Sequence, residues 1–375
     1  MNTNINASNI ITLNTNINKE DMNMNTNLNT NVTTEANPFN VNGLYANYDT
    51  KKVERILQSA EVDRRQSWLT TMGINLENVH SMESALKISG LDFEVEKRPL
   101  YFTTKEEGRP PRFHNIPEMY STTRMDTKTS LGVVGKDYQI LQNREAFDFL
   151  DSMVVGGAKF ETAGTFKKNG AASYISMSTE PMNILGDNFQ PYILFTNSFD
   201  GKGSVRICFA PMRIVCKNTA MVALRGADNV LTIHHSSLMY DRLVAARDTL
   251  TANTKYMNEL KKVAEELAVK PFSEKAFRAM AEKLFPVKTE DSETLQIRNL
   301  SQIEKLMRAY KETDLDNFKD SAWRAFQAVS DFQSHPTTFR KVKEQGDQGS
   351  PEFKSVIVTG MPLLNQVLAM LQEAV

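Results

Sequence analysis

The chain has almost no net charge, almost no cysteine and no long apolar run, and each shortage excludes something. Over 375 residues, 44 Lys and Arg face 45 Asp and Glu, which leaves a net charge of -1. No global positive field draws in nucleic acid, so any such contact has to come from a local patch. Two cysteines, Cys208 and Cys216, exclude a disulfide framework and suit a reducing compartment. No apolar run approaches the ~18 residues of a membrane span. No basic stretch followed by an apolar core marks a signal peptide, so a cytoplasmic location is expected. Gly201-Lys202-Gly203-Ser204 is not a phosphate loop, because Thr196 stands where the earlier glycine belongs and a strand follows instead of a helix. No dinucleotide fingerprint and no acidic pair for two-metal chemistry occur. Asp187, Asp200 and Asp228 sit in turn sequences. No cofactor, no metal and no membrane partner is expected.

What is present is 41% hydrophobic residues, enough for a substantial core. Residues 1–42 form an Asn/Thr-rich low-complexity tail, which reads as disordered because isolated apolar residues alternate with Asn and nothing large can be buried. The pattern predicts an α+β fold. An antiparallel β-sheet meander with packed helices spans 43–235, and a helical C-terminal region spans 236–375.

Helices are expected at Lys51–Gln66, at Ser81–Ser89 with Ser81 as N-cap, and at Asn143–Met153 with Asn143 as N-cap. Short strands are expected around Phe93–Glu96, Leu100–Phe102, Met119–Thr122 and Ser130–Val134, then at Phe160–Phe166, Ala172–Met177, Tyr192–Phe199 and Val205–Phe209. Lys168-Asn169-Gly170, Leu185-Gly186-Asp187-Asn188 and Asp200-Gly201 are hairpin turns. Pro211 reads as a strand break, and Lys217–Leu224 as a short helix ending at Gly226. Helices then run Ser237–Val269, Ser273–Leu284, Thr294–Tyr310, Asp320–Phe332 and Phe353–Leu371. Trp323, Phe326 and Val329 share one face of their helix and belong to the core.

The segment Phe199–Gly226 concentrates basic residues. Lys202, Arg206, Arg213, Lys217 and Arg225 lie in one hairpin-to-helix unit, with Lys167 and Lys168 on a neighbouring turn. Lys217 and the backbone N–H groups of Asn218 and Thr219 would open the helix and make an anion site. Tyr174, Tyr192, Phe195 and Phe199 would offer stacking surfaces. The plain alternative is a set of solvated charges above core aromatics, with Asn218 or Thr219 as a cap. Cys216 ends an apolar strand and reads as a buried structural thiol. His234-His235 reads as a strand end with one ring packed and one exposed.

Several phrases are similar to a phage/plasmid-like family defined as a domain of unknown function. They are Leu131-Gly132-Val133-Val134-Gly135 with Tyr138 and Gln142-Asn143, then Glu161-Thr162-Ala163-Gly164, Arg213 through Thr219, Ile233-His234-His235, and Ala322 through Val329. The resemblance covers residues 90 to 335. It implies a mobile-element setting and brings no established activity. In architecture only, the element order also resembles phage single-strand annealing proteins.

The function expected from these features is non-enzymatic nucleic-acid binding by a homo-oligomer. Single-stranded DNA would be held for replication, recombination or annealing. One alternative is an enzyme on a nucleotide or phosphate compound, with Arg213–Thr219 as anion cradle and His234 or His235 as acid/base. Another is a protein-binding antagonist of host defence, with a host protein as partner.

Overall fold

The computed structural model describes residues 47–49, 51–53, 73–214, 219–225, 227–235, 248–335 and 360–373. The expected tail, most of the Lys51–Gln66 helix, the start of the Ser237 helix, residues 353–359, Cys216, Lys217 and Asn218 lie outside the described residues. Apart from Asn47, the described residues belong to one compact unit, Tyr48–Val375.

The main sheet is wholly antiparallel and carries the core. Its strands are β1 (Ile74–Asn75), β5 (Lys159–Phe166), β6 (Ala172–Ser178), β8 (Asp187–Ser198), β9 (Val205–Arg213) and β10 (Val230–Ile233), adjacent in that order, with β7 (Met182–Ile184) paired to β8. The turns are set by local chemistry. The two-residue β7–β8 turn puts Leu185 at φ 55° and Gly186 at φ 87°, the positive pair that a right-twisted hairpin favours. In the β8–β9 turn, one Asp200 carboxylate oxygen accepts the N–H groups of Lys202 (2.9 Å) and Gly203 (3.0 Å). β6 is buried along its whole length. Rings from helical segments before and after the sheet pack onto it. Phe149 meets Phe195 edge-on at 5.3 Å, and Tyr256 lies 5.9 Å from Phe209.

Pro211 does not break its strand. β9 runs through it, and Pro211 faces Pro191 of β8. The Pro191 carbonyl accepts from Thr179 N and the Pro211 carbonyl from Ala220 N, so both residues point their polar edges away from one another. That is a non-hydrogen-bonded pair, where neither missing N–H is needed between β8 and β9.

The expected helix at Lys217–Leu224 is absent from its described part. Thr219 bridges Met212, Leu224 bridges Ala227, and the residues between are irregular. Their backbone bonds go to other elements: Thr219 N to Ser334 Oγ, Val222 N to Tyr256 Oη, and Ala223 N to Asn365 Oδ1.

A second sheet, order β2-β3-β4, is built from β2 (Val95–Thr104), β3 (Arg112–Arg124) and β4 (Thr129–Gly135). Its base is clamped to the main sheet. A Cβ on Gly132 would lie 2.5 Å from Asp200 Cα, so only glycine lets β4 approach the β8–β9 turn this closely. Thr122 Oγ1 donates to the Phe199 carbonyl at 2.6 Å, and the Gln142 amide bonds both the N–H and the carbonyl of Val95.

Flanking the small sheet in sequence are α1 (Met82–Ile88) before β2, and α2 (Asn143–Ala146) and α3 (Leu150–Val155) after β4. The single helix expected over Asn143–Met153 is therefore two short ones. Gln142 stands at the N-cap of α2, its N–H bonded to Glu145 Oε2. Asn143 is instead buried, with its amide donating to the Leu91 carbonyl and accepting from Ser173 Oγ and Asn197 Nδ2. The C-terminal layer comprises α4 (Thr249–Val269), α5 (Glu274–Leu284), α6 (Glu293–Glu312), α7 (Ala322–Ser334) and α8 (Pro362–Glu373). Ser81, Ser273, Ser292 and Ser321 each cap a helix by accepting a first-turn N–H. Trp323 is fully buried and stacks on Phe326 at 5.4 Å.

Candidate functional site

The β8–β9 turn gathers several of the polar residues singled out above. Lys167 reaches Asp200 at 3.0 Å and Ser198 Oγ at 3.1 Å, and Ser198 Oγ donates to Asp200 at 2.8 Å. Burial by itself would raise the Asp200 carboxyl. Hydrogen bonds from Lys167, the Lys202 N–H and Ser198, with the Lys167 charge, overturn that and hold it below the ordinary carboxylate value. Tyr138 Oη donates to the Ser198 carbonyl, and its ring stacks on His235 with centroids 5.0 Å apart. His235 Nδ1 lies 3.2 Å from the Gln139 carbonyl, so Nδ1 carries the proton. His234 Nδ1 lies 3.0 Å from Ser204 Oγ on the exposed side.

Burial pushes His235 below the ordinary 6.5, aided by His234 and opposed by the Gln139 bond and the Asp200 charge. The unfolded chain then binds the proton more readily than the folded chain. The stability contributed by neutral His235 is complete above the ordinary value and drains away as the pH falls below it. The urea midpoint is expected to fall between about pH 7.5 and 5.5, and His235→Gln to flatten that fall. An unchanged slope in the variant would mean that His235 is not the titrating group.

Chemically, the cluster is a braced turn. Asp200 is occupied by Lys167, Ser198 and two backbone N–H groups, which leaves it no free role as a base. Among the described residues no group of three or more His, Cys, Asp or Glu is placed to hold a metal ion. Cys208 is buried, which pushes its thiol up to about 11, far from a nucleophile's range.

The basic cluster divides in the structure. Arg213 is 1% exposed and bonds Asp187 (2.9 Å) and Asp314 (2.9 Å), so it anchors the α6–α7 connection to the start of β8 and the end of β9 and faces no solvent. Thr219 is fully buried, with its carbonyl accepting from Ser330 Oγ. Lys202 and Arg225 are exposed, and Lys167 and Arg206 are half-buried. Lys168 lies beside Lys167 at the start of the Lys168–Gly170 turn, while Lys217 and Asn218 fall outside the described residues. Three of the four stacking surfaces expected on the strands are core instead: Tyr174, Phe195 and Phe199 are buried, Tyr192 is half-buried, and burial pushes the Tyr174 phenol up to about 12.

The structure presents an aromatic surface elsewhere. Beyond Pro99, β2 and β3 form a two-stranded ribbon whose outer half pairs Tyr101 with Asn115, Phe102 with His114, Thr103 with Phe113, and Thr104 with Arg112. Opposite residues share a face and successive ones alternate. One face therefore carries Phe102, Thr104, Arg112 and His114, and the other Tyr101, Thr103, Phe113 and Asn115. Phe102 stacks on His114 at 4.9 Å, and Thr104 Oγ1 lies 2.9 Å from His114 Nε2. Tyr101 is 54%, Phe102 51% and Phe113 72% exposed. Lys105 and Arg112 have no carboxylate within ion-pair distance among the described residues, whereas Arg109 pairs with Glu106. The signal for this ribbon lay in the rings and cations flanking Arg109-Pro110-Pro111, with Tyr101, Phe102 and Lys105 before it and Arg112, Phe113 and His114 after it.

A model of the family described as Domain of unknown function (DUF932) matches residues 130–356, more than half of the chain. The chain belongs to this family. The family match begins at β4 and takes in the braced turn, the main sheet from β5 onward and the helices through α7. The ribbon, β2 and β3, precedes it. No curated protein and no solved structure matches the chain. Among the described residues no helix is long and apolar enough to cross a membrane.

Proposed function

We propose that the protein binds single-stranded nucleic acid, DNA first of all, and that the β2–β3 ribbon is its contact element. The reading is carried by one observation: rings, and cations without an ion-pair partner among the described residues, together on a ribbon exposed on both faces. The face with Phe102, His114 and Arg112 suits a polyanion with bases. Each base–aromatic stack is worth about 1–3 kcal/mol and tolerates any sequence, because every base has a π-face. Arg112 and Lys105 supply phosphate contacts. Lys202 is exposed on the β8–β9 turn against which β4 is packed and adds a cation near the small sheet, whereas the charge of Lys167 is taken up by Asp200. Glu106 and Glu107 temper the field, so few phosphates are engaged. The mobile-element setting implied by the sequence resemblance would suit such binding to replication, recombination or strand annealing.

Fluorescence anisotropy of a labelled oligonucleotide tests this. Two to three phosphate contacts give log K against log salt a slope of about -2, at ~0.7 per contact on single strands. Phe102→Ala and Arg112→Ala are each expected to weaken binding at least about fivefold, while Arg206→Ala changes it little. Binding that is indifferent to both ribbon substitutions, or to salt, would remove the proposal.

A further inference from the structure

We infer that the second face of the ribbon, Tyr101, Thr103, Phe113 and Asn115, docks against the same face of a second copy of this chain. A two-stranded ribbon covered on neither side is marginal in water. This one nonetheless holds its two most exposed rings, Phe113 and Tyr101, on a single face. Such apolar surface on a projecting element marks a place where something sits.

The edges of the ribbon are closed to that role. Pro99, Pro110, Pro111 and Pro117 lack N–H donors, and the register breaks between Pro99 and Tyr101, with Glu118 at φ 58° on the opposite strand. Prolines and irregularities of this kind blunt strand addition, so a partner meets a face.

Charge then selects the occupant. The paired residues of this face carry no ionisable group except the Tyr101 phenol, so two copies meet there without desolvating an ion or opposing like charges. At the tip, Lys105 and Glu107 are both exposed, and neither has an ion-pair partner among the described residues, unlike Arg109 and Glu106 beside them. In a two-fold arrangement a residue i that meets j is repaid by j meeting i. Lys105 of each copy can thus supply the counter-ion of Glu107 in the other. Sheet faces packed at about 10 Å bring the rings of the two copies into contact, leaving the Phe102–Arg112 faces outward. The patch is far smaller than the roughly 1,200 Å² of a stable interface, so the association expected is weak and concentration-dependent. It stands or falls independently of nucleic-acid binding.

Sedimentation equilibrium of the full chain between about 1 and 100 µM is the test. The mass is expected to rise from monomer toward dimer. Phe113→Glu should shift the midpoint at least tenfold to higher concentration, with circular dichroism unchanged. Lys105→Glu alone should also weaken association, and adding Glu107→Lys to it should restore the original midpoint. Arg112→Ala, on the other face, should leave the midpoint in place whatever it does to oligonucleotide affinity. Association without oligonucleotide binding would sink the nucleic-acid reading and leave this one standing. A mass that stays monomeric, or an association that Phe113→Glu does not move, overturns the inference and in the second case assigns self-contact to another part of the chain.

Discussion

Arg213→Met is expected to destabilise the protein by about 3 kcal/mol and to leave oligonucleotide affinity within about twofold of the parent. The side chain is 1% exposed, whereas Asp187 keeps 19% and Asp314 45% of their side-chain surface. Removing one partner of a buried ion pair leaves a carboxylate partly desolvated, which typically costs about 3–5 kcal/mol. The lower end applies because Asp314 recovers water once it is released. Met fills the volume without the charge, so little of the loss comes from a cavity. Urea unfolding followed by circular dichroism reads the stability, and anisotropy reads the binding. A variant of full stability that has lost binding would mean that Arg213 does face a ligand.

Arg324→Ala is expected to cost more, about 4 kcal/mol. Its buried guanidinium donates to the carbonyls of Tyr310 (3.0 Å), Lys311 (3.2 Å), Thr313 (3.3 Å) and Leu315 (3.0 Å). These include the last carbonyls of α6, which have no partner within the helix and lie at the negative end of its dipole. A lysine has no planar fork to spread over four acceptors, so Arg324→Lys should recover less than half of the loss. Arg213 and Arg324 both hold the stretch Thr313–Asp316, Arg213 through Asp314 and Arg324 through the Thr313 and Leu315 carbonyls and Asp316. Once that stretch is loose, the second arginine has less to hold. The double variant should therefore fall short of the sum by about 1 kcal/mol or more. Strict additivity in denaturant unfolding would show that the two anchors act separately.

The α+β order was legible because it rests on local signals. Asn169-Gly170, Leu185-Gly186 and Asp200-Gly201 all occupy the turns their chemistry predicts, with Asn169, Leu185 and the three glycines at positive φ. Ser81 caps its helix as read. What escaped reading depends on register and tertiary partners. Pro211 is tolerated only because Pro191 stands opposite at a position without ladder bonds, a relation 20 residues apart in sequence. The Ala-Met-Val-Ala-Leu composition after Thr219 favours helix, yet Tyr256, Ser334 and Asn365 supply the hydrogen bonds that a helix would have made. Closeness in sequence made Arg213 look like a neighbour of Lys202. Its place in the final pair of β9, beside Phe189 of β8, instead turns it toward Asp314. The ribbon gave no hydrophobic alternation to detect, since neither of its faces is a core face.

The way the small sheet is mounted gives the ribbon two mechanical halves. Gly132, Thr122 and Gln142 fix the inner half to the body. The register shifts between Pro99 and Tyr101, opposite Asn115–Tyr120, and the outer half begins there. At about 3.3 Å per residue, the outer paired segment is a boom of roughly 13 Å standing on a fixed mount. The aromatic contacts proposed for this protein all lie on the boom and none on the mount, so substitutions that alter the grip can leave the mount, and the fold it secures, intact.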